Sequence, residues 1–152
     1  MPFTGNAQSR EPSQPALPPA SAAIDEEMIG RLVSTFYSCV QADPVLAPVF
    51  ADHIEDWDTH IERMCDFWSS VILRTGLYHG RPMAVHAPLP VTDVHFRRWL
   101  ALFEMVARKT CPAVAAEHFL DRAQRIATSL QYGVAIARGE CPSRVQPVTH
   151  GA

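Results

Sequence analysis

The chain has 152 residues, of which 47% are hydrophobic, so it is long enough to bury the core of one domain. Its formal net charge is -3, and its lysines and arginines are scattered, which argues against a nucleic acid or an anionic membrane as a partner. No apolar run approaches the roughly 18 residues that span a bilayer, and the N-terminus has neither the basic start nor the apolar segment of a signal peptide. These features predict a cytoplasmic protein that binds neither nucleic acid nor membrane.

The cysteines are too far apart to form a C-x-x-C metal motif or the dense disulfide framework of a small secreted domain. They are Cys39, Cys65, Cys111 and Cys141. We therefore predict free thiols. Cys39 and Cys65 fall on apolar helical faces, where packing is the simplest role, although a redox role stays open.

The two ends of the chain have a composition that does not support a packed core. Residues 1–23 contain five prolines among serines, alanines and glutamines, which is typical of a disordered extension. Residues 139–152 contain Pro142 and Pro147 and no hydrophobic periodicity, which predicts a second disordered segment. The folded domain is thus expected to cover residues 24–138.

The first predicted helix begins near Asp25 and ends before Asp43. Asp25 is a suitable N-cap, and two acidic residues follow it in the first turn. The apolar positions recur every four residues, at Met28, Leu32, Phe36 and Val40. Tyr37 lies at the edge of this face. Two prolines within residues 44–50 then predict a short helical turn that brings Phe50 to the core.

A second long helix is predicted over residues 56–73. One broad face at helical spacing carries Trp57, His60, Ile61, Met64, Phe67, Trp68, Val71 and Ile72. His60 therefore points in the same direction as Met64 and Phe67. After a loop that contains glycines, His86 lies on a short segment over residues 83–87, and the prolines that follow prevent this segment from continuing as a helix.

Two further helices complete the predicted fold. Thr92 is a natural N-cap for a helix that runs to about Lys109 and carries Trp99 on its inward face. A last helix is predicted over residues 113–137, because its apolar residues recur at i, i+3 and i+4 spacing. No strand pattern and no internal repeat compete with these helices, so the sequence predicts an all-α fold.

The motifs of common hydrolases and nucleotide-dependent enzymes are absent. The sequence has no G-x-S-x-G, H-E-x-x-H, P-loop or G-x-G-x-x-G pattern. What remains is a helical domain whose apolar faces each carry a polar or aromatic side chain that can make a hydrogen bond. Such a pocket suits a flat, apolar cofactor with one reactive centre.

A series of short motifs occurs in the order and spacing of a known family. The motifs are Phe36-Tyr37, Asp43-Pro44 with Pro48-Val49-Phe50, Trp57-x-x-His60, Phe67-Trp68-Ser69, Tyr78-x-Gly80-x-Pro82, His86-x-x-Leu89-Pro90 and Phe96-x-x-Trp99-Leu100-x-Leu102-Phe103. Through them the chain resembles the group III truncated haemoglobins over about residues 26–137. The resemblance implies a shortened two-over-two globin sandwich and a haem b cofactor.

The resemblance implies that His86 is the proximal histidine, the residue that binds the haem iron. Such a ligand needs an unprotonated imidazole nitrogen at the metal, while a carbonyl or carboxylate group orients the other nitrogen. His95 is the alternative, and we expect it to be structural or exposed. The haem propionates need cationic partners, for which sequence spacing does not choose among Arg81, Arg97 and Arg98.

The same resemblance places Tyr37, His60 and Trp99 on the distal side, where a ligand of the iron would bind. The Tyr37 hydroxyl and the Trp99 indole N–H can donate hydrogen bonds, although each ring can also serve as a plain core aromatic. His60 is expected to gate the pocket, with coordination of the iron as the alternative. The expected lining of the haem is Phe50, Phe67, Trp99 and Met64, whose thioether packs more readily than it approaches the iron.

The implied function is that of a haem protein that binds dioxygen and related ligands, including nitric oxide, carbon monoxide and peroxide. A redox activity, such as nitric oxide dioxygenation or peroxidase chemistry, would need a reductase, which the sequence does not identify. Two alternatives stay open: an oxygen carrier or gas sensor without catalysis, and a helical interaction module without haem. An absorption spectrum of the purified protein distinguishes an interaction module without haem from the functions that need haem.

Overall fold

The computed structural model describes residues 23–151, and this part of the chain contains helices and no strand. The α-helices are α1 (Glu26–Ala42), α2 (Ala47–His53), α3 (Trp57–Leu73), α4 (Pro82–His86), α5 (Asp93–Thr110) and α6 (Ala113–Ala137). The all-α prediction is confirmed. The predicted N-terminal extension lies outside the described residues except for Ala23. None of the helices in residues 23–151 is both long enough and apolar enough to cross a membrane.

Side-chain caps explain where two of the long helices begin. The carboxylate of Asp25 accepts a hydrogen bond from the backbone N–H of Met28 at 2.9 Å, and this bond fixes the first turn of α1. Asp56 does the same at the start of α3, where it accepts from the backbone N–H groups of Asp58 and Thr59. Both carboxylates satisfy donors that a helix leaves free at its N-terminus. The predicted starts of these helices therefore agree with the structure.

The four long helices form two packed layers. Helix α1 packs against α3, α5 packs against α6, and contacts between α1 and α5 join the two pairs. The joint core contains the aromatic side chains of Phe36, Trp68, Phe103 and Phe119. The ring of Trp68 stacks on that of Phe103 with centroids 5.0 Å apart. This is the predicted two-over-two sandwich, in which each helix buries one apolar stripe.

A buried aspartate shapes the corner between α1 and α2. Asp43 accepts hydrogen bonds from the backbone N–H groups of Val45 and Leu46, at 3.1 and 3.0 Å. It also accepts from the side chain of Arg98 on α5. Because α2 carries Phe50, this corner fixes one wall of the site described below.

The segment that follows α6 differs from the prediction of a disordered tail. Residues 139–151, here termed the C-terminal strap, contain a short 3-10 turn at Pro142–Arg144. The side chain of Val148 in the strap is only 5% exposed and belongs to the hydrophobic core. The strap is therefore part of the packed structure.

Two glutamines on α6 hold the C-terminal strap. Gln131 donates to the carbonyl oxygen of Gln146 and accepts from the backbone N–H of Val148. Gln124 donates to the carbonyl oxygen of Val148 and accepts from the backbone N–H of His150. These side-chain amides supply the partners that a neighbouring strand would otherwise supply. Hydrophobic periodicity does not detect such pairing, which explains why the prediction was wrong here.

Candidate functional site

His86 is the last residue of α4, and its ring is oriented by the first residue of that helix. The Nδ1 atom of His86 lies 2.6 Å from the carbonyl oxygen of Pro82. A carbonyl oxygen only accepts, so Nδ1 carries the proton and donates it. In the neutral imidazole the Nε2 atom is then the unprotonated one, with a lone pair available to a metal ion. The orienting carbonyl that the proximal assignment requires is therefore present.

His95 has a different structural role. Its Nδ1 atom accepts a hydrogen bond from the backbone N–H of Thr92 at 3.0 Å. The side chain of Thr92 in turn accepts from the backbone of His95. These reciprocal bonds form a capping box that begins α5. The imidazole of His95 therefore stabilises a helix N-terminus.

Four rings from α1, α2 and α3 meet in one group, here termed the distal cluster: Tyr37, Phe50, Trp57 and His60. Tyr37 lies edge-on to His60 with ring centroids 4.7 Å apart, and 5.9 Å from Phe50. Phe50 stacks on Trp57 with centroids 6.1 Å apart. The structure thus brings together three residues that the sequence assigned to the site. It adds Trp57, which was predicted to share a face of α3 with His60 but was not predicted to belong to the site.

Trp99 reaches the distal cluster from α5 through Phe36. The ring of Phe36 contacts both Tyr37 and Trp99, with centroids 5.0 and 5.5 Å away. Trp99 also stacks on Phe103, with ring planes 13° apart. Trp99 is half-buried, so it packs in the core without being sealed there. Packing and hydrogen-bond donation are therefore compatible in this residue.

The distal cluster contains two polar groups, of which one is buried without a hydrogen-bond partner within residues 23–151. The Nε2 atom of His60 is buried and unpaired. The side chain of Tyr37 is 5% exposed. Burial, and to a smaller extent the nearby Cys65, raises the pKa of the Tyr37 hydroxyl, which therefore stays protonated. A buried polar group without a partner costs about 1 to 3 kcal/mol, so Nε2 of His60 is suited to meet a polar ligand, and the protonated Tyr37 hydroxyl in the same cluster can donate to such a ligand.

The surroundings of His60 favour its neutral form. Burial lowers the pKa of its imidazole, and the positive charge of Arg63 lowers it further, as does His86 in its protonated form. A neutral imidazole has one N–H and one lone pair, so His60 can donate to a ligand or accept from it.

Met64 and Phe67 form a second wall on α3, apart from the distal cluster. Both are half-buried and pack against the hydrophobic core. Phe67 contacts the ring of Tyr78 at a centroid distance of 5.2 Å, and the backbone N–H of Tyr78 donates to Ser70. Tyr78 covers Gly80 so closely that a Cβ atom at this glycine would overlap the ring. The loop between α3 and α4 is thereby fixed against α3.

The two sides of the site lie on helices with different packing partners. Helix α3 packs against α1, whereas α4 packs against α6. The segment from the end of α3 through α4 leaves three large apolar side chains exposed: Leu77 at 52%, Met83 at 40% and Val85 at 59%. Exposed apolar surface of this kind often marks a binding site. The arrangement suits a flat apolar cofactor between the two helices.

The candidate cations for the haem propionates are not equivalent. Arg98 donates from Nε to Asp43 at 2.6 Å, and the Asp43 side chain is only 1% exposed, so the guanidinium is already engaged. Arg81 and Arg97 form no ion pair within the described part of the chain. Of the three candidates, these two remain free for an anionic group.

The donor set fits haem better than a metal ion held by the protein alone. Within residues 23–151 no group of three or more His, Cys, Asp and Glu side chains could hold a metal ion. The four cysteines are free thiols, as predicted. An iron bound here would take its one protein ligand from His86 and its other resident ligands from the cofactor, as in haem.

Comparisons with known proteins agree with this geometry. The family model described as "Bacterial-like globin" matches residues 24–132. The chain is 34% identical over 113 residues to Group 3 truncated hemoglobin ctb of Campylobacter jejuni, which covers 71% of this chain and 89% of that protein. It is 33% identical over 84 residues to Group 2 truncated hemoglobin YjbI of Bacillus subtilis, which covers 52% of this chain and 61% of that protein.

Solved structures show the same similarity. The crystal structure of the group III truncated hemoglobin from Campylobacter jejuni matches with a TM-score of 0.67 at 33% identity, covering 70% of this chain and 88% of that chain. The group II truncated hemoglobin from Bacillus anthracis matches with a TM-score of 0.62 at 26% identity, covering 80% of this chain and 92% of that chain. The similarity therefore covers most of the chain in both sequence and fold.

Proposed function

This chain belongs to the bacterial-like globin family, as a truncated haemoglobin of group III that binds haem and small ligands, and we propose that His86 is the one protein ligand of its iron. The observation that carries this assignment is the 2.6 Å hydrogen bond from Nδ1 of His86 to the carbonyl oxygen of Pro82. This bond orients the ring and leaves Nε2 unprotonated. Pro88 and Pro90 keep α4 from lengthening past His86, so the ring stays at the end of a short helix.

The distal residues determine how a ligand is held. Haem supplies an iron centre that takes up a small ligand, such as dioxygen, and exchanges electrons. Tyr37 donates from a buried hydroxyl, Trp99 donates from its indole N–H, and His60 donates or accepts as a neutral imidazole. Each buried hydrogen bond contributes about 1 to 3 kcal/mol, so donors that converge on a polar ligand slow its release.

Slow release of the bound ligand favours a reaction of that ligand at the haem over its transport. We place this protein in the cytoplasm, where it uses dioxygen or peroxide in a redox reaction with nitric oxide as the first candidate co-substrate. A reductase, not identified by sequence, returns the protein to its reduced form. Phe50 and Trp57 support this function because their stacked rings limit the entry of water beside Tyr37.

His60 is assigned to the entrance of the pocket rather than to the iron. Its Nε2 atom is buried beside the Tyr37 ring, whereas its neighbours on α3, Thr59 and Arg63, are exposed. Rotation of the His60 side chain would therefore open a path from the distal cluster to solvent. Coordination of the iron would instead give a six-coordinate spectrum in the ligand-free protein.

Replacement of His86 tests the iron assignment. His86→Ala is expected to abolish ordinary haem retention, whereas the control His95→Ala keeps one haem per chain and loses only a helix cap, worth about 1 kcal/mol of stability. Haem content and the absorption spectrum of both variants give the answer. A normal proximal-histidine spectrum in His86→Ala would show that another residue binds the iron.

The redox assignment needs a separate test. The dioxygen-loaded protein is mixed with nitric oxide in a stopped-flow instrument, and nitrate is then measured. We expect about one nitrate per haem, because ligand and co-substrate are held together in the distal pocket. Simple displacement of dioxygen without nitrate would favour a carrier or a sensor.

A further inference from the structure

Helix α4 is too short to hold its own position. It contains five residues, and Arg81 at its N-cap makes no side-chain capping bond. Isolated helices shorter than about 12 residues are marginal in water, so such an element depends on tertiary contacts. The placement of His86 must therefore come from other parts of the chain.

One contact from α6 holds the start of α4. The thioether of Met83 lies directly over Gly133, where a Cβ atom would overlap the sulfur. The absence of a side chain at Gly133 allows α4 to approach α6 closely at this point. Met83 precedes His86 in the chain, so this contact does not fix the residues that follow His86.

A second contact from α6 holds the segment just after His86. Nη2 of Arg138 donates to the carbonyl oxygen of Leu89 at 2.9 Å. The backbone N–H of Leu89 donates in turn to the carbonyl oxygen of His86 at 3.0 Å. Two hydrogen bonds in series therefore connect the end of α6 to the backbone of His86.

The backbone of Arg138 is itself fixed by a helix-ending motif. The N–H of Gly139 bonds to the carbonyl oxygen of Ile136, and the N–H of Glu140 bonds to that of Ala135, both at 3.0 Å. Gly139 has a φ of 74°, a left-handed conformation that favours glycine. This pattern closes α6 at Arg138 and directs the chain into the C-terminal strap.

The same region of α6 also holds the far end of the connection between α4 and α5. Nε2 of Gln131 donates to Asp93 in the first turn of α5 at 2.9 Å, and the same side chain binds the C-terminal strap. Arg138 and Gln131 therefore fix Leu89 and Asp93, at two points of one connection. The strap, α6 and the segment that carries His86 are joined in one hydrogen-bonded unit.

We propose that Arg138 is a positioning residue for His86, and that the turn at Gly139, where α6 passes into the C-terminal strap, keeps Arg138 in place. The proposal rests on the proposed function of His86 as the iron ligand. Through the Leu89 carbonyl, Arg138 restricts the movement of the short helix and holds the imidazole in the orientation set by Pro82. Its loss leaves the bond to Pro82 intact but allows the whole segment to shift.

The test compares Arg138→Gln with Arg125→Gln in the full-length haem-loaded protein. Arg125 is a matched control, because it lies on the same helix and within residues 23–151 its one ion pair is with Asp121 on the surface. We measure haem transfer to excess apomyoglobin and the iron–histidine stretching band of the ferrous protein. Arg138→Gln is expected to lose haem about three- to tenfold faster, the effect of one solvent-exposed hydrogen bond, and to shift or broaden the band. Arg125→Gln should match the wild type in both.

A second pair of variants tests the turn that fixes Arg138. Gly139→Ala places a side chain at positive φ next to Arg138, whereas Gly151→Ala makes the same change at the end of the strap, where φ is also 74°. We expect Gly139→Ala to change the iron–histidine band in the same direction as Arg138→Gln, and Gly151→Ala to leave it unchanged. Faster haem loss with an unchanged band in both Arg138→Gln and Gly139→Ala would indicate a general loss of stability and would overturn the proposal.

His86→Ala separates this proposal from the function on which it rests. If His86→Ala keeps the iron–histidine band, the assignment of the iron ligand is wrong. If His86→Ala loses the band while Arg138→Gln behaves like Arg125→Gln, the iron ligand stands and only the positioning role is wrong.

Discussion

Arg98 and Asp43, fifty-five positions apart in the chain, form a hydrogen-bonded ion pair of 2.6 Å between α5 and the corner that leads into α2. Asp43 is almost fully buried, whereas the Arg98 side chain is 45% exposed. Arg98 immediately precedes Trp99, and α2 carries Phe50. The pair therefore links the two elements that bring these aromatic side chains to the pocket.

Asp43→Asn is expected to lower the free energy of unfolding by about 2 kcal/mol at pH 7, because it removes a charge-assisted hydrogen bond and weakens the turn that leads into α2. Urea unfolding measures the change. Asp121→Asn, at an exposed pair with Arg125, is the control and should change stability by less than about 0.5 kcal/mol. Equal effects of the two variants would mean that the buried pair does not secure this corner.

The contribution of Asp43 should depend on pH. Burial alone would raise the pKa of its carboxyl group, but hydrogen bonds from Arg98, Leu46 and Val45 outweigh burial and hold the pKa below its ordinary value of 3.8. A lowered folded-state pKa stabilises the protein above the unfolded-state value, and this stability is lost as pH falls through the folded-state value. The difference between wild type and Asp43→Asn should therefore be constant above about pH 5 and narrow below pH 4. A constant difference down to pH 2 would contradict the lowered pKa.

Tyr37→Phe should release dioxygen much faster than the wild type. The outer oxygen of dioxygen carries partial negative charge, and the loss of one donor is expected to raise the release rate about five- to a hundredfold. Trp99→Phe should act in the same direction. Carbon monoxide is less polar, so its release should change far less in both variants. Stopped-flow measurement of both ligands tests this. Fast release in the wild type, unchanged in either variant, would mean that these donors do not reach the ligand.

His60 should make the protein less stable as the solution becomes mildly acidic. Burial, followed by the charge of Arg63, lowers the pKa of His60 below its ordinary value of 6.5. The unfolded chain then binds a proton more readily than the folded one, so stability falls as pH drops below about 6.5. His60→Phe should flatten this dependence, whereas His79→Gln at an exposed loop position should keep it. Unfolding midpoints between pH 5 and 8 provide the comparison, and equal slopes in all three proteins would contradict it.

Deletion of residues 1–23 is expected to leave haem content and ligand kinetics nearly unchanged. The proline-rich composition of this segment predicts few contacts with the folded domain, which we propose begins at residue 24. Haem stoichiometry and the release rate of dioxygen measure the result. A large change in either would mean that the segment packs on the domain or controls access to the pocket.

The sequence predicted the long helices well because their signals are local. Asp25 and Thr92 cap helices with apolar stripes where the pattern indicated, and α3 begins next to Asp56, at the predicted start of that helix. Helix α2 lies at residues 47–53 rather than within 44–50, because Pro48 fits its first turn while Asp43 holds the residues before it. The positions of the prolines alone do not reveal the hydrogen bonds that Asp43 makes with this turn and with Arg98.

The parts that the sequence did not predict depend on contacts between distant residues. Polar residues such as Gln124 and Gln131 are expected on the solvent-facing side of a helix. In the structure their amides bind the C-terminal strap, and Gln131 is only 4% exposed. Trp57 stacks on Phe50 only because the Asp43 corner brings α2 next to α3. The spacing of Trp57 and His60 predicts that both lie on one face of α3. Their contacts with Tyr37 and Phe50 depend on the tertiary structure and could not be predicted from that spacing.

The partner of His86 has a consequence for the electronic character of the proximal side. Pro82 offers an uncharged carbonyl oxygen, and within residues 23–151 no carboxylate bonds to the His86 ring. A carboxylate would pull the proton from Nδ1 and make the ring more anionic, whereas a carbonyl leaves the imidazole neutral and a weaker electron donor. A carbonyl also does not titrate. The donor strength of His86 should therefore stay constant across the pH range in which a carboxylate partner would gain or lose its charge.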